Sequence, residues 1–163
     1  MIKKILSALL AILFVIQLIR PEKNVSDSVS VNDISAKYEV PEDVHLILKK
    51  ACTDCHSNNT VYPWYANIQP VAWYLDDHIQ DGKKHFDMSE FLAYEPWRAH
   101  HKLEELEEEV EENKMPLEDY VRIHEEADLT SDEKSKLIAW SRGVRAEMAA
   151  DSTLDLTRPE KKK

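Results

Sequence analysis

The chain has 163 residues, enough for one domain with a real core plus appendages. Gly is only 2 of them, which argues against an all-β sandwich or barrel with its many turns, and 32% charged residues read as mainly helical outside any apolar segment. With 21 Lys and Arg against 31 Asp and Glu the formal charge is −10, which disfavours a nucleic-acid binder, while two cysteines are too few for a disulfide scaffold.

The first predicted element is a signal-anchor or transmembrane segment over residues 1–20. Lys3 and Lys4 precede an apolar run from Ile5 to Ile19, interrupted only by Ser7 and Gln17, and Arg20-Pro21 closes it. Such a run is shorter than the usual spanning helix and fits the core of a signal peptide, yet no small-x-small cleavage site follows. The expectation is an uncleaved anchor, with Lys3, Lys4 and Arg20 snorkelling. It would hold the rest on the periplasmic side of a bacterial inner membrane; the alternative is a cleaved signal and a soluble periplasmic domain. Beyond residue 20 there are 18 cations against 31 acids. Residues 21–40, rich in Ser, Asp, Asn and Val without a helical period, predict a flexible tether. A folded domain over 41–150 and a polar tail over 151–163 complete the division.

Pro41-Glu42-Asp43 opens a helix, with acids at its positive end. Val44, Ile47, Leu48 and Ala51 give it one apolar face. It runs into Cys52-Thr53-Asp54-Cys55-His56, a C-x-x-C-H. Cysteines three apart on a turn can each add to one vinyl group of a haem, and the following His is then held to bind the iron from the proximal side. Zinc ligation, a redox dithiol and an inert buried pair are the competing readings. The usual second ligand pair of a zinc site is missing, and no strand precedes the motif as in thioredoxin-like folds.

Aromatic residues crowd the next stretch, Tyr62-Pro63-Trp64-Tyr65 and Trp73-Tyr74. Tyr62 and Trp64 are candidate covers for the porphyrin faces, against ordinary core packing. From Pro70, the residues Val71, Leu75, His78 and Gly82 fall on one helical face, which points His78 inward as a candidate ligand or core histidine. Leu103, Leu106 and Val110 recur at helical spacing within a run of glutamates. That helix has an anionic outer face, either simply solvated or a docking surface for a basic redox partner. Met115-Pro116 follows, and a Met-Pro step can present its thioether from a loop, so Met115 is the preferred distal ligand. Met88 is a weaker alternative and Met148 reads as core. Thr130 and Glu133 form a capping box opening a last helix, with Leu137, Trp140/Ser141, Val144 and Met148 on one face to about Ala150.

Several of these strings together resemble the haem-binding domain family of small exported c-type cytochrome-like proteins. They are Cys52 to Asn58, Tyr62 to Tyr65, Pro70 to Trp73, His78-Ile79 and Gly82, then Met115-Pro116-Leu117, Tyr120, His124, Ala127, Leu129-Thr130, Glu133-Lys134 and Trp140. The family usually has Arg where this chain has Lys83, and Asn-Phe-Ser where it has Asp87-Met88-Ser89. The resemblance implies haem binding and a cytochrome-like role. The combined expectation is an all-α, mono-haem cytochrome c-like domain with an N-terminal membrane anchor. Haem c would be held by Cys52 and Cys55, with iron between His56 and Met115, for one-electron transfer to a partner protein. A haem peroxidase-type enzyme or a haem-based redox or gas sensor is the alternative.

Overall fold

The computed structural model describes residues 1–159; the last four, including the expected Lys161 to Lys163 of the tail, lie outside them. Among the described residues there are seven α-helices, short 3-10 turns and no strand, in keeping with the all-α expectation. The helices are α1 (Ile2–Ile16), α2 (Glu42–Ala51), α3 (Thr53–His56), α4 (Val71–His85), α5 (Pro96–Glu111), α6 (Glu118–Val121) and α7 (Ser131–Ala150).

The core forms where the three clearest periodicities meet. Val44, Ile47, Leu48 and Ala51 of α2 are all buried, as are Leu103 and Val110 of α5 and Leu137, Trp140, Val144 and Met148 of α7. Phe86, Met88 and Phe91, from the segment after α4, join the same cluster. Each Val, Leu, Ile, Phe or Met among them contributes about 1.5–3 kcal/mol on removal from water. The predicted capping box is present. Thr130 Oγ1 accepts from the Glu133 N–H, and the Glu133 carboxylate accepts from the Thr130 N–H at 2.9 Å. The same carboxylate meets Lys50 at 2.6 Å, tying the start of α7 to the end of α2.

The acidic helix departs from expectation. Its glutamates are not all an outer face: Glu107 is only 6% exposed and turns inward onto α7. Its carboxylate accepts from Ser141 Oγ at 3.0 Å, from Arg142 Nε at 3.1 Å and from Arg145 Nη1 at 3.2 Å. Glu111 accepts from Arg142 Nη2 and Glu104 from Arg145 Nη2, while the buried Arg145 Nε has no hydrogen-bond partner among the described residues. Removing one partner of a buried pair strands the other, so Glu107→Ala is expected to lower unfolding free energy by about 3 kcal/mol. Chemical denaturation checks this; a loss no larger than that of exposed Glu108→Ala would show the network to be idle.

Residues 21–40, expected as a flexible tether, are fastened along the domain. The Asn24 N–H donates to Tyr62 Oη at 2.8 Å, and Asn24 Nδ2 donates to the Ser57 carbonyl at 2.8 Å. Lys83 Nζ reaches Asn24 Oδ1 at 3.0 Å and also binds Asn58 Oδ1. Further on, Ile34 and Tyr38 enter the core at 3% exposure each. Polar composition disguised a strap held by side-chain hydrogen bonds and two apolar pegs. The segment expected as a polar tail is not wholly polar in its contacts, since Leu154 and Leu156 pack against the core.

The spanning anchor expected over residues 1–20 is not found. Helix α1 has 15 residues, roughly 22 Å at the α-helical rise, against a hydrocarbon layer of about 30 Å. Among the described residues no helix is long and apolar enough to cross a membrane.

Candidate functional site

The C-x-x-C-H does not simply continue α2. Cys52 leaves helical geometry (φ −131°, ψ −44°), and the motif occupies its own single turn, α3. The His56 N–H donates to the Cys52 carbonyl at 3.0 Å and closes that turn. Helix α4 lies directly on it at Gly82. A Cβ there would stand 2.7 Å from the Cys55 carbonyl oxygen and 2.9 Å from its Cβ, so only a hydrogen fits.

Helix α4 also orients the histidine. The chain turns out of the helix at Phe86, whose carbonyl is one of the unpaired groups every helix C-terminus leaves. His56 Nδ1 lies 2.8 Å from that oxygen. A carbonyl can only accept, so Nδ1 carries the proton and Nε2 keeps its lone pair. Burial holds the His56 imidazole below its ordinary pKa, which favours this neutral form. A backbone carbonyl fixing one ring nitrogen while the other is free is the arrangement of a histidine ligand.

Both cysteines are free. Burial, with Cys55 adding to it, pushes the Cys52 thiol up to about 12; burial and the Asp54 charge push Cys55 to about 11. These are not the low-pKa thiolates of a redox dithiol. Among the described residues no three His, Cys, Asp or Glu side chains gather as a metal-holding group, so the zinc reading lacks a ligand set.

A cavity of about 340 Å³ is walled by Cys52, Cys55, His56, His78, Gly82, Met115 and Tyr120. It adjoins a hollow of about 460 Å³ that shares Cys52, His56 and Met115, and one of about 310 Å³ that shares Cys55, His78 and Tyr120. Together they have the size of a cofactor site. The donor set suits a haem: two thiols on one turn, a neutral imidazole with a free Nε2, and a thioether on the same wall.

Met115 arrives there by a definite route. Helix α5 ends in a Schellman turn, with Asn113 in the left-handed region (φ 58°), its N–H on the Val110 carbonyl and the Lys114 N–H on the Glu109 carbonyl. That reversal delivers the half-buried Met115 to the cavity wall.

His78 reaches the same wall, but not as a buried inward residue. It is half-buried, with Nδ1 2.9 Å from the Tyr74 carbonyl of its own helix. The buried side of α4 is Ala72 and Ile79 rather than the expected Val71, Leu75 and His78. Tyr62 borders the smaller hollow, its hydroxyl held by the strap at Asn24. Trp64, expected to cover the porphyrin, is 77% exposed and on none of these walls. Met88 is core, at 4% exposure.

Two contributors escaped sequence reasoning. Phe86 acts through its main-chain oxygen, which no side-chain pattern announces. Asp54, inside the motif, accepts from Tyr120 Oη at 2.8 Å and from the Val61 N–H at 2.9 Å, so it binds α6 and the following loop to α3. Burial and then Asp54 raise the Tyr120 pKa, keeping its phenol a donor. The stacking of Tyr120 on His124, with ring centroids 4.4 Å apart, follows from their four-residue spacing.

A family model described as haem-binding domain matches residues 11–143. No curated protein and no solved structure matches the chain.

Proposed function

The chain belongs to the haem-binding domain family, and from that premise we propose that it is a covalent haem c protein serving one-electron transfer. The observation that carries this reading is His56: its Nδ1–H is engaged by the Phe86 carbonyl and its Nε2 is free, beside two thiols. Cys52 and Cys55 would each hold the haem through a thioether, the S–H adding across a vinyl double bond with sulfur to one carbon and hydrogen to the other. His56 and Met115 would supply the nitrogen and sulfur donors to the iron of a single haem. When bound, haem supplies one-electron cycling between ferrous and ferric iron. The protein's part is to choose the axial donors, exclude water and set the potential.

The expected partner is a protein with a basic docking surface. Glu105, Glu108 and Glu109 rim the hollow that contains Met115, so the acids left over from the α5–α7 network stand beside the site. Association there would be fast and salt-sensitive. We place the domain on the periplasmic side of a bacterial inner membrane, held by α1; a cleaved signal would leave it soluble in the periplasm.

Absorption spectra of the full chain, made in a host that attaches c-type haem, test the reading. The expected oxidised spectrum is six-coordinate and low-spin, with the weak long-wavelength thioether–iron band. Met115→Ala is expected to remove that band and lower the potential by on the order of 100 mV. A high-spin wild type would overturn electron transfer. A second reading, a redox or gas sensor or a peroxidase-type enzyme, is favoured by His78 standing on the same wall as Met115. It takes precedence if the wild type lacks the thioether–iron band or if His78→Ala alone alters the iron's ligand field.

A further inference from the structure

Helix α1 presents its whole apolar surface outward. None of its residues is buried, and Ile5, Leu9, Ile12 and Phe14 are each more than half exposed. An apolar helix with no tertiary cover is not stable in water, so another surface must cover it.

Its attachment to the domain is stiff. The Gln69 N–H donates to Gln17 Oε1 at 2.9 Å, and Gln17 Nε2 donates back to the Gln69 carbonyl at 3.2 Å. Gln69 is 1% exposed, and its Nε2 donates to the Ile19 carbonyl at 2.7 Å. The same carbonyl accepts from Trp73 Nε1 at 3.1 Å. Four hydrogen bonds thus fix the end of α1 to the start of α4. Around this joint Ile68 and Trp73 are exposed, and Trp64 stands one 3-10 turn earlier.

Charge selects the occupant. Residues 1–23 carry Lys3, Lys4, Arg20 and Lys23 against Glu22 alone, in a chain whose formal charge is −10. A second copy would bring another acidic domain, whereas anionic lipid headgroups complement this segment. Tryptophan beside an apolar helix also suits the interface between lipid and water.

We propose that α1 and the ledge of Trp64, Ile68 and Trp73 form one continuous surface seated in an anionic lipid bilayer, and that the Gln17–Gln69 joint fixes the orientation of the cofactor cavity to that bilayer. This rests on the membrane anchoring proposed above and replaces a flexible tether by a rigid bracket. Helix α4 carries both features. Its cavity residues His78 and Gly82 follow Trp73 by roughly 8 and 14 Å along the axis, so a membrane-bound partner meets the cavity from a set side.

The test is flotation combined with hydroxyl-radical footprinting of the full, haem-loaded chain, with and without vesicles of phosphatidylcholine and phosphatidylglycerol. Oxidation of Trp64 and Trp73 is expected to fall roughly five-fold on vesicle binding, as burial among headgroups implies. Leu46, exposed on the outer side of α2, is expected to keep its reactivity. Gln17→Ala, outside the core, is expected to float as before but lose the protection. Failure to float would overturn the anchoring itself. Flotation with Trp64 and Trp73 still reactive would overturn the bracket and leave the anchoring standing, as would unchanged protection in Gln17→Ala. Protection that arises without vesicles, together with a dimer in sedimentation, would assign the surface to a second copy.

Discussion

Replacing Cys52 and Cys55 together by Ala is expected to yield a chain from which acidified organic solvent strips all haem, whereas the wild type keeps it through denaturation. Cys52 caps the single turn α3 and Cys55 lies within it; both thiols stand on the wall of one cavity, where the other sulfur among the described residues is the Met115 thioether, which forms no bond to a vinyl carbon. Without them His56 still offers Nε2, so weak non-covalent binding is expected to survive in the native state. Haem staining after denaturing electrophoresis separates the cases, and each single variant is expected to retain haem through one thioether. Retention by the double variant would falsify covalent attachment through this motif.

Gly82→Ala is expected to destabilise the protein by about 1–3 kcal/mol and to depress haem incorporation, although helix propensity alone predicts a gain of about 1 kcal/mol. The new methyl would meet the Cys55 carbonyl oxygen at 2.7 Å, a main-chain atom that cannot rotate away. Helix α4 must then lift from α3, and with it the Phe86 carbonyl that orients His56. Gly143 supplies the contrast. It also lies inside a helix, α7, but a Cβ there meets nothing within 4 Å. Gly143→Ala is expected to stabilise by about 0.5–1 kcal/mol. Thermal denaturation of the pair decides the matter: equal behaviour of the two variants would show that close packing at Gly82 is not what the glycine is for.

Whatever depends on local periodicity and on the chemistry of neighbouring residues can be read from the unfolded chain. The buried faces of α2 and α7, the capping box at Thr130 and Glu133, and the donor types at Cys52, Cys55 and His56 were all legible, because each is set within one or two helical turns. What depends on a distant partner emerges with the packed fold. Residues 21–40 look unstructured alone and are ordered by Tyr62, Ser57 and Lys83, more than thirty positions away. Glu107 is indistinguishable from its neighbours until Arg142 and Arg145 face it. Trp64 looked like cofactor cover, yet in the folded chain its ring is exposed and meets Tyr65 edge-on, away from the cavity walls. His56 shows both halves: its ligand chemistry is written in the motif, while its tautomer is imposed by a main-chain oxygen thirty residues on. Side-chain identity is local information; the position of a backbone carbonyl exists only once the chain has folded.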